Sequence, residues 1–309
     1  VKGQSPRVLI VTGKGGVGKT TVSMALGLAF VECGLRTVIC ETAGSTRVPE
    51  AFGVDGQGYT LTELRPSLWT MSITPEEAME DYIVQQIRIR RLYKLVFGNR
   101  IMSAFVDAVP GLHDAVTLGK VYDLARRTRS DGQPEWDRIV VDAPATGHGL
   151  TMLGSTRSFM ELTRSGPMYE GVKLVHDVLD QPDVTGLVLV ALPEEMPVKE
   201  TLDLWHRLGD SQAQVRGCVL NEVHERPRFE PGEWQAARPA FDGDDAVREA
   251  TALTDRWMER VARQDECRRR LAGELGLPVV DMPFRFHRDL AVDELADLGR
   301  GLMGDLEAR

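Results

Sequence analysis

Apolar and polar positions along this chain follow two different periods. Short runs centred on valine, isoleucine and leucine, at 8–11, 36–40, 138–142 and 185–192, have the composition of strands buried on both faces. Residues 68–73, 215–220 and 278–282 read as further strands. Between these blocks the apolar residues recur every three or four positions, the period of a helix with one buried face. Helices are predicted at 22–31 and from 75 to about 105, the latter with Met79, Ile83, Ile87 and Leu92 on one face. More follow at 113–129, between 149 and 179, at 198–208, from about 246 to 274, and at 290–307. Strands alternating with helices predict an α/β fold, a mostly parallel sheet covered by helices on both faces. We read residues 1–309 as one domain with a helical insertion around 75–130. Residues 224–245, with three prolines and two glycines, read as a surface excursion.

The first strand, Val8-Leu9-Ile10-Val11, leads into Gly13-Lys14-Gly15-Gly16-Val17-Gly18-Lys19-Thr20-Thr21, and a helix follows. Strand, glycine loop, helix is the setting that the phosphate-loop pattern G-x-x-x-x-G-K-[ST] requires. Glycines let the backbone turn tightly and approach an anion without a Cβ in the way. Successive N–H groups then face a phosphate, with the positive end of the helix dipole behind them. Lys19 is placed for the β- and γ-phosphates of ATP and the Thr20 hydroxyl for Mg²⁺. The strand at 138–142 ends in Asp142, where a carboxylate holds that Mg²⁺. Ala143-Pro144-Ala145-Thr146-Gly147-His148-Gly149 follows it as a γ-phosphate-sensing loop. The phosphate loop, Glu41, Asp142 and Asn221 all fall at carboxyl ends of predicted strands, the edge where such sheets bind ligands.

Lys14, directly after the first glycine, is not needed by an ordinary phosphate loop. Gly-Lys-Gly-Gly-Val-Gly-Lys-Thr-Thr resembles the deviant Walker A loop of several dimeric ATPase families. Asp142-Ala-Pro-Ala-Thr-Gly-His148 is similar to the switch loop of the arsenite-pump and tail-anchored-protein-targeting ATPases. Three further fragments agree: Pro110-Gly111-Leu112-His113-Asp114, Val219-Leu220-Asn221 and Met282-Pro283-Phe284. The resemblance implies a P-loop NTPase fold and Mg²⁺-dependent ATP hydrolysis in a homodimer or a heterodimer with a paralogue. It also implies a protein client loaded and released through the cycle. Lys14 would reach across the dimer to the partner's nucleotide, Asn221 and Pro283 would flank the adenine, and Pro144, Thr146, Gly147 and His148 would act as a switch.

The departures are equally specific. The family's first switch, Ser-Thr-Asp-Pro-Ala-His, carries the Asp that orients the attacking water. Here the stretch reads Cys40-Glu41-Thr42-Ala43-Gly44-Ser45, with neither Asp nor Pro, so Glu41 becomes the candidate for that role and turnover is expected to be slow. The targeting ATPases' C-x-x-C zinc clasp has no counterpart. Between Asn221 and Met282 there are only His224 and Cys267, so no zinc is expected. Met152, Met160 and Met168 lie near the place of a client-cradling helix, a spacing equally suited to core filling.

Composition narrows the partners. A formal charge of −9 and a pI near 5.3 argue against a nucleic-acid-coating surface, so no nucleic acid is expected. No run approaches the roughly 20 apolar residues of a membrane span, and no stable membrane insertion is expected. The run at 8–11 enters the phosphate loop directly, without a leader pattern. Four cysteines, at 33, 40, 218 and 267, form no C-x-x-C pair, which points to reduced thiols and a cytoplasmic location. Two other readings fit part of the pattern: a partition- or division-site positioning ATPase, and an ATP-binding scaffold with little hydrolysis. The acidic helix at 290–307 lacks the basic face that a membrane-targeting helix needs, which counts against the first.

Overall fold

A computed structural model describes residues 6–42, 44–87, 111–144, 165–241, 243–287 and 289–306, together with 154, 156, 157, 160 and 161. An eight-stranded sheet forms its centre. In chain order the strands are β1 (Val8–Gly13), β2 (Thr37–Thr42), β3 (Thr62–Arg65), β4 (Leu68–Ile73), β5 (Arg138–Asp142), β6 (Thr185–Ala191), β7 (Val215–Val223) and β8 (Val279–Pro283). They lie side by side as β3-β4-β2-β5-β1-β6-β7-β8. Every pairing is parallel except β3 with β4. β1 sits between β5 and β6, with Val11 opposite Asp142 on one side and Val188 on the other.

The described helices are α1 (Lys19–Glu32), α2 (Arg47–Ala51), α3 (Pro75–Ile87), α4 (Leu112–Arg126), α5 (Pro167–Leu179), α6 (Glu195–Leu208), α7 (Pro231–Ala237), α8 (Asp245–Leu275) and α9 (Val292–Leu306). Alternation along the strands divides the core into two layers. Val8 and Ile10 of β1, with Val38 and Cys40 of β2, face Leu118 and Val121 of α4, Leu202 of α6 and Leu271 of α8. Leu9, Val11 and Ile39 face the other way, onto Leu26 and Phe30 of α1 and Leu298 and Leu302 of α9. α9 lies against α1 at close range because Gly299 has no side chain, since a Cβ there would stand 2.1 Å from the Ala25 carbonyl oxygen. Both faces of the sheet are therefore covered, as its buried central strands require.

Three elements have no counterpart in the sequence expectation. β3, the antiparallel edge strand, is polar and half-exposed, and it turns into β4 through Pro66 and Ser67, the latter at φ 68°. α2 follows the glycine and serine after β2, where no periodicity announces a helix. α7 forms inside the proline-rich stretch 224–245 because Pro231 occupies its first turn and Glu230 and Glu233 close a capping box. None of its residues is buried, so the stretch is still a surface excursion. β7 runs three residues beyond the expected 220 and ends at Val223. Of the stretch read as a helical insertion, α3 and α4 are described and pack together through Met79 and Leu112, with Tyr82 and Ile83 alongside. Residues 88–110 lie outside the described residues.

Candidate nucleotide site

β1 is buried along its whole length and ends at Gly13, so the chain must leave the sheet sharply before α1 starts at Lys19. Gly16 and Gly18 take φ of 83° and 89°, left-handed values that an ordinary residue adopts only under strain. Gly18 is doubly constrained, because a Cβ there would lie 2.1 Å from Asn221 Nδ2. The loop is thus built from backbone, with Val17 buried and Lys14, Gly15 and Gly16 exposed. Asn221 holds it from behind. Its Nδ2 donates to the Val17 carbonyl oxygen at 2.9 Å, while its Oδ1 accepts from the Glu222 N–H at 2.8 Å.

The loop opens on a cleft of about 1200 Å³ lined by Lys19, Thr20, Thr21, Asp142 and Pro144 among others. Thr20 Oγ1 donates to Asp142 Oδ2 at 2.7 Å, and Ser23 Oγ lies 3.4 Å from Oδ1. The Thr42 hydroxyl fixes the same residue's backbone, donating to the Asp142 carbonyl oxygen at 2.7 Å. Burial raises the Asp142 carboxyl above its ordinary range, against the Thr20 hydrogen bond and the Lys19 charge. Lys19 is lowered by its own burial, which the Asp142 charge opposes. Its Nζ donates to the Lys14 carbonyl oxygen at 3.0 Å, so the ammonium lies inside the curve of the loop. A hydroxyl and a carboxylate side by side are hard oxygen donors of the kind Mg²⁺ takes together with phosphate oxygens and water. A carboxylate that burial makes reluctant to stay charged gains from a cation placed beside it.

The remaining predicted residues fall into three groups. Pro144 lines the cleft, and Thr146, Gly147 and His148 lie outside the described residues, as does Met152. Lys14 leaves its own cleft, with Nζ 2.7 Å from Glu200 Oε1 on α6, an ion pair with both side chains part-exposed. Glu41 lies at the carboxyl end of β2, as read, but its side chain is not turned to the cleft. It is only 1% exposed, and its Oε1 accepts from Ser45 Oγ at 2.9 Å and from the Val48 N–H at 3.1 Å. Alternation along β2 puts it on the Ile39 side of the sheet, beneath α2, and it is not among the described residues that line the cleft. Burial raises its pKa against those two hydrogen bonds. Asn221 and Pro283 are likewise absent from the described lining, and Pro283 is half-buried at the end of β8. Nearby, His224 stacks on Phe284 with ring centroids 4.6 Å apart, and Arg260 Nη1 lies 2.8 Å from its Nε2.

The sequence reading passed over Arg47 and Glu50, both of which line the cleft from α2. Thr46 Oγ1 donates to Glu50 Oε1 at 2.7 Å, one helical turn away. A threonine four residues before a glutamate, the spacing of one helical turn, was the available signal. Ser23 was missed for a simpler reason. A serine one turn into α1 carries no mark of its own until Asp142 is placed beside it.

A glycine cradle between strand and helix, with a carboxylate ending the neighbouring strand, defines a phosphate-loop nucleotide-binding protein. Residues 6–164 match the anion-transporting ATPase family, and the chain belongs to that family. It is 30% identical over 230 residues to the ATPase BagA of Mycobacterium tuberculosis, a match covering 70% of this chain and 64% of that protein. The arsenical pump-driving ATPase of Acidiphilium multivorum is 27% identical over 241 residues, or 71% of this chain and 40% of the pump ATPase. The ATPase GET3 of Lachancea thermotolerans is 22% identical over 250 residues, covering 70% and 71%. Among the described residues, no helix is long and apolar enough to cross a membrane.

Proposed function

We propose that the chain is an Mg²⁺-dependent ATP hydrolase that works as a nucleotide-controlled dimer, homomeric or with a paralogue, and loads and releases a protein partner in the cytoplasm. The observation that carries this reading is the meeting of Lys19, Thr20 and Asp142 at one end of the cleft, with Thr20 and Asp142 2.7 Å apart. In this reading the loop amides and Lys19 take the β- and γ-phosphates, and Thr20 and Asp142 hold the metal. Bound Mg²⁺ would supply positive charge to the phosphate oxygens. Lys14, outside its own cleft, is left for the partner's nucleotide. The membership of this chain in an ATPase family supports the reaction class.

A second reading keeps the binding and discards most of the turnover. Glu41 is buried and already hydrogen-bonded under α2, so it is poorly placed to orient a water, and a nucleotide-binding scaffold follows if no other group does so. Calorimetry of the Lys19→Ala variant tests the shared core of both readings, with ATP binding expected to vanish while the fold persists. Equal affinity in variant and wild type would refute the phosphate-loop assignment. A single-turnover assay of wild type then separates hydrolase from scaffold.

A further inference from the structure

We propose that Arg47 contacts the γ-phosphate, supplying in cis a second cation to the distal end of the bound nucleotide. The inference rests on the nucleotide reading above and adds a residue that neither the motif nor the resemblance assigns. Strand order gives the direction. The phosphate loop follows β1, Asp142 ends β5 and α2 follows β2, and these three strands are consecutive in the sheet. A phosphate chain that starts in the loop and ends near Thr20 and Asp142 points toward the first turn of α2. Arg47 is the first residue of that helix and lines the same cleft.

The charge inventory favours the same place. Lys19 and Arg47 are the two lysine or arginine residues among the described lining, since Lys14 pairs with Glu200 outside it. Arg47 is exposed, its backbone N–H is tied to Ser45 Oγ at 3.4 Å, and among the described residues its guanidinium forms no ion pair. It is nevertheless close enough for its charge to add to the burial that lowers Lys19 and to work against the burial that raises Asp142. Glu41 and Ser45 hold the start of α2, so the arginine is carried on a fixed base. A planar guanidinium with paired donors suits a terminal phosphate, and a cation in cis at that point stabilises charge in phosphoryl transfer. It would do so in a chain whose strand-end carboxylate, Glu41, is buried and absent from the described lining of the cleft.

The test compares ADP with a non-hydrolysable ATP analogue, each with Mg²⁺, by calorimetry on wild type, Arg47→Gln and Arg47→Lys, alongside single-turnover hydrolysis. Arg47→Gln is expected to hold ADP within about twofold and to bind the analogue about tenfold or more weakly. Arg47→Lys should recover part of the analogue affinity, because one charge remains without the fork. Any turnover seen in wild type should fall about a hundredfold in Arg47→Gln. Unchanged analogue affinity, or an equal loss for ADP and analogue, overturns the assignment while leaving the nucleotide reading intact. Wild type that binds neither nucleotide overturns both, and this is seen before any variant is made.

Discussion

Two turns at the same edge of the sheet are built by opposite means. After β1 the chain reaches α1 through a loop whose shape is set by backbone, with left-handed glycines at 16 and 18 and an asparagine bracing the carbonyl of Val17. After β2 it reaches α2 through a segment held by side chains, with Glu41 gripping Ser45 and Val48 and Thr46 gripping Glu50. To its own cleft the first turn offers backbone and a single lysine, Lys19, so it is suited to anions. The second can change its chemistry by exchanging an exposed side chain such as that of Arg47, which takes no part in the hydrogen bonds that hold the path. On the nucleotide reading proposed above, binding rests on the backbone-built turn, and the handling of the terminal phosphate on the side-chain-built one.

Breaking the backbone-built turn should have the largest effect. Gly18→Ala places a methyl 2.1 Å from Asn221 Nδ2 at a left-handed φ, and we expect a loss of about 3 kcal/mol in stability with nucleotide binding abolished. Urea unfolding and calorimetry check both, and wild-type behaviour would mean that the loop adapts more freely than its packing suggests. Asp142→Asn probes the strand between the two turns. Mg²⁺-dependent nucleotide affinity should fall about tenfold while Mg²⁺-free affinity holds, because only the metal-linked attraction loses a charge. Equal losses would assign the carboxylate to the fold alone.

The side-chain-built turn is tested through protonation. Glu41 has a folded pKa raised above the ordinary 4.5, so the folded chain holds that proton more tightly than the unfolded chain does. Its contribution to stability is full below the unfolded pKa and is lost as pH rises through the folded one. Glu41→Gln keeps an acceptor for Ser45 and Val48 and removes the titration. The variant should therefore gain on wild type as pH rises from 4.5 toward neutrality. A stability difference that stays flat over that range contradicts the prediction. The smallest effect is expected at Glu200. Glu200→Gln removes a part-exposed ion pair and should cost well under about 1 kcal/mol in the monomer. It should also raise the reactivity of Lys14 toward an acylating reagent, read by peptide mass mapping, and unchanged reactivity would show that the pair does not hold Lys14 in solution.

The same contrast explains what could be read from the sequence. Residues 13–21 and Asp142 were legible because the glycine spacing follows from the turn the backbone makes there, and because a β-branched run that ends in a carboxylate is a local pattern. β4 and β5 matched their expected bounds residue for residue, since each starts directly after a polar residue and is buried at every position except Trp69. Glu41 was recognisable as a carboxylate near a strand end, but its direction depends on strand parity and on α2 above it, and neither is a local signal. β3 escaped notice because an edge strand needs only half its residues in contact, and Thr62-Glu63-Leu64-Arg65 has no apolar alternation strong enough to mark it. Arg47 and Glu50 became visible only once three strands had placed them opposite Lys19.

α8 carries a consequence of another kind. It runs for 31 residues, yet its buried side chains, Val261, Gln264, Leu271 and Leu275, all belong to the second half. The first half is steadied from the side by polar contacts to α7 and the turn after it, with Trp234 Nε1 donating to Asp255 at 2.8 Å and Arg238 paired with the same carboxylate. One continuous helix therefore has two stabilities. Its amide protons should exchange with solvent through local opening from Asp245 to about Arg260, and only through much rarer opening of the core from Val261 onward. The arm can fray and re-form many times while the sheet beneath it stays closed.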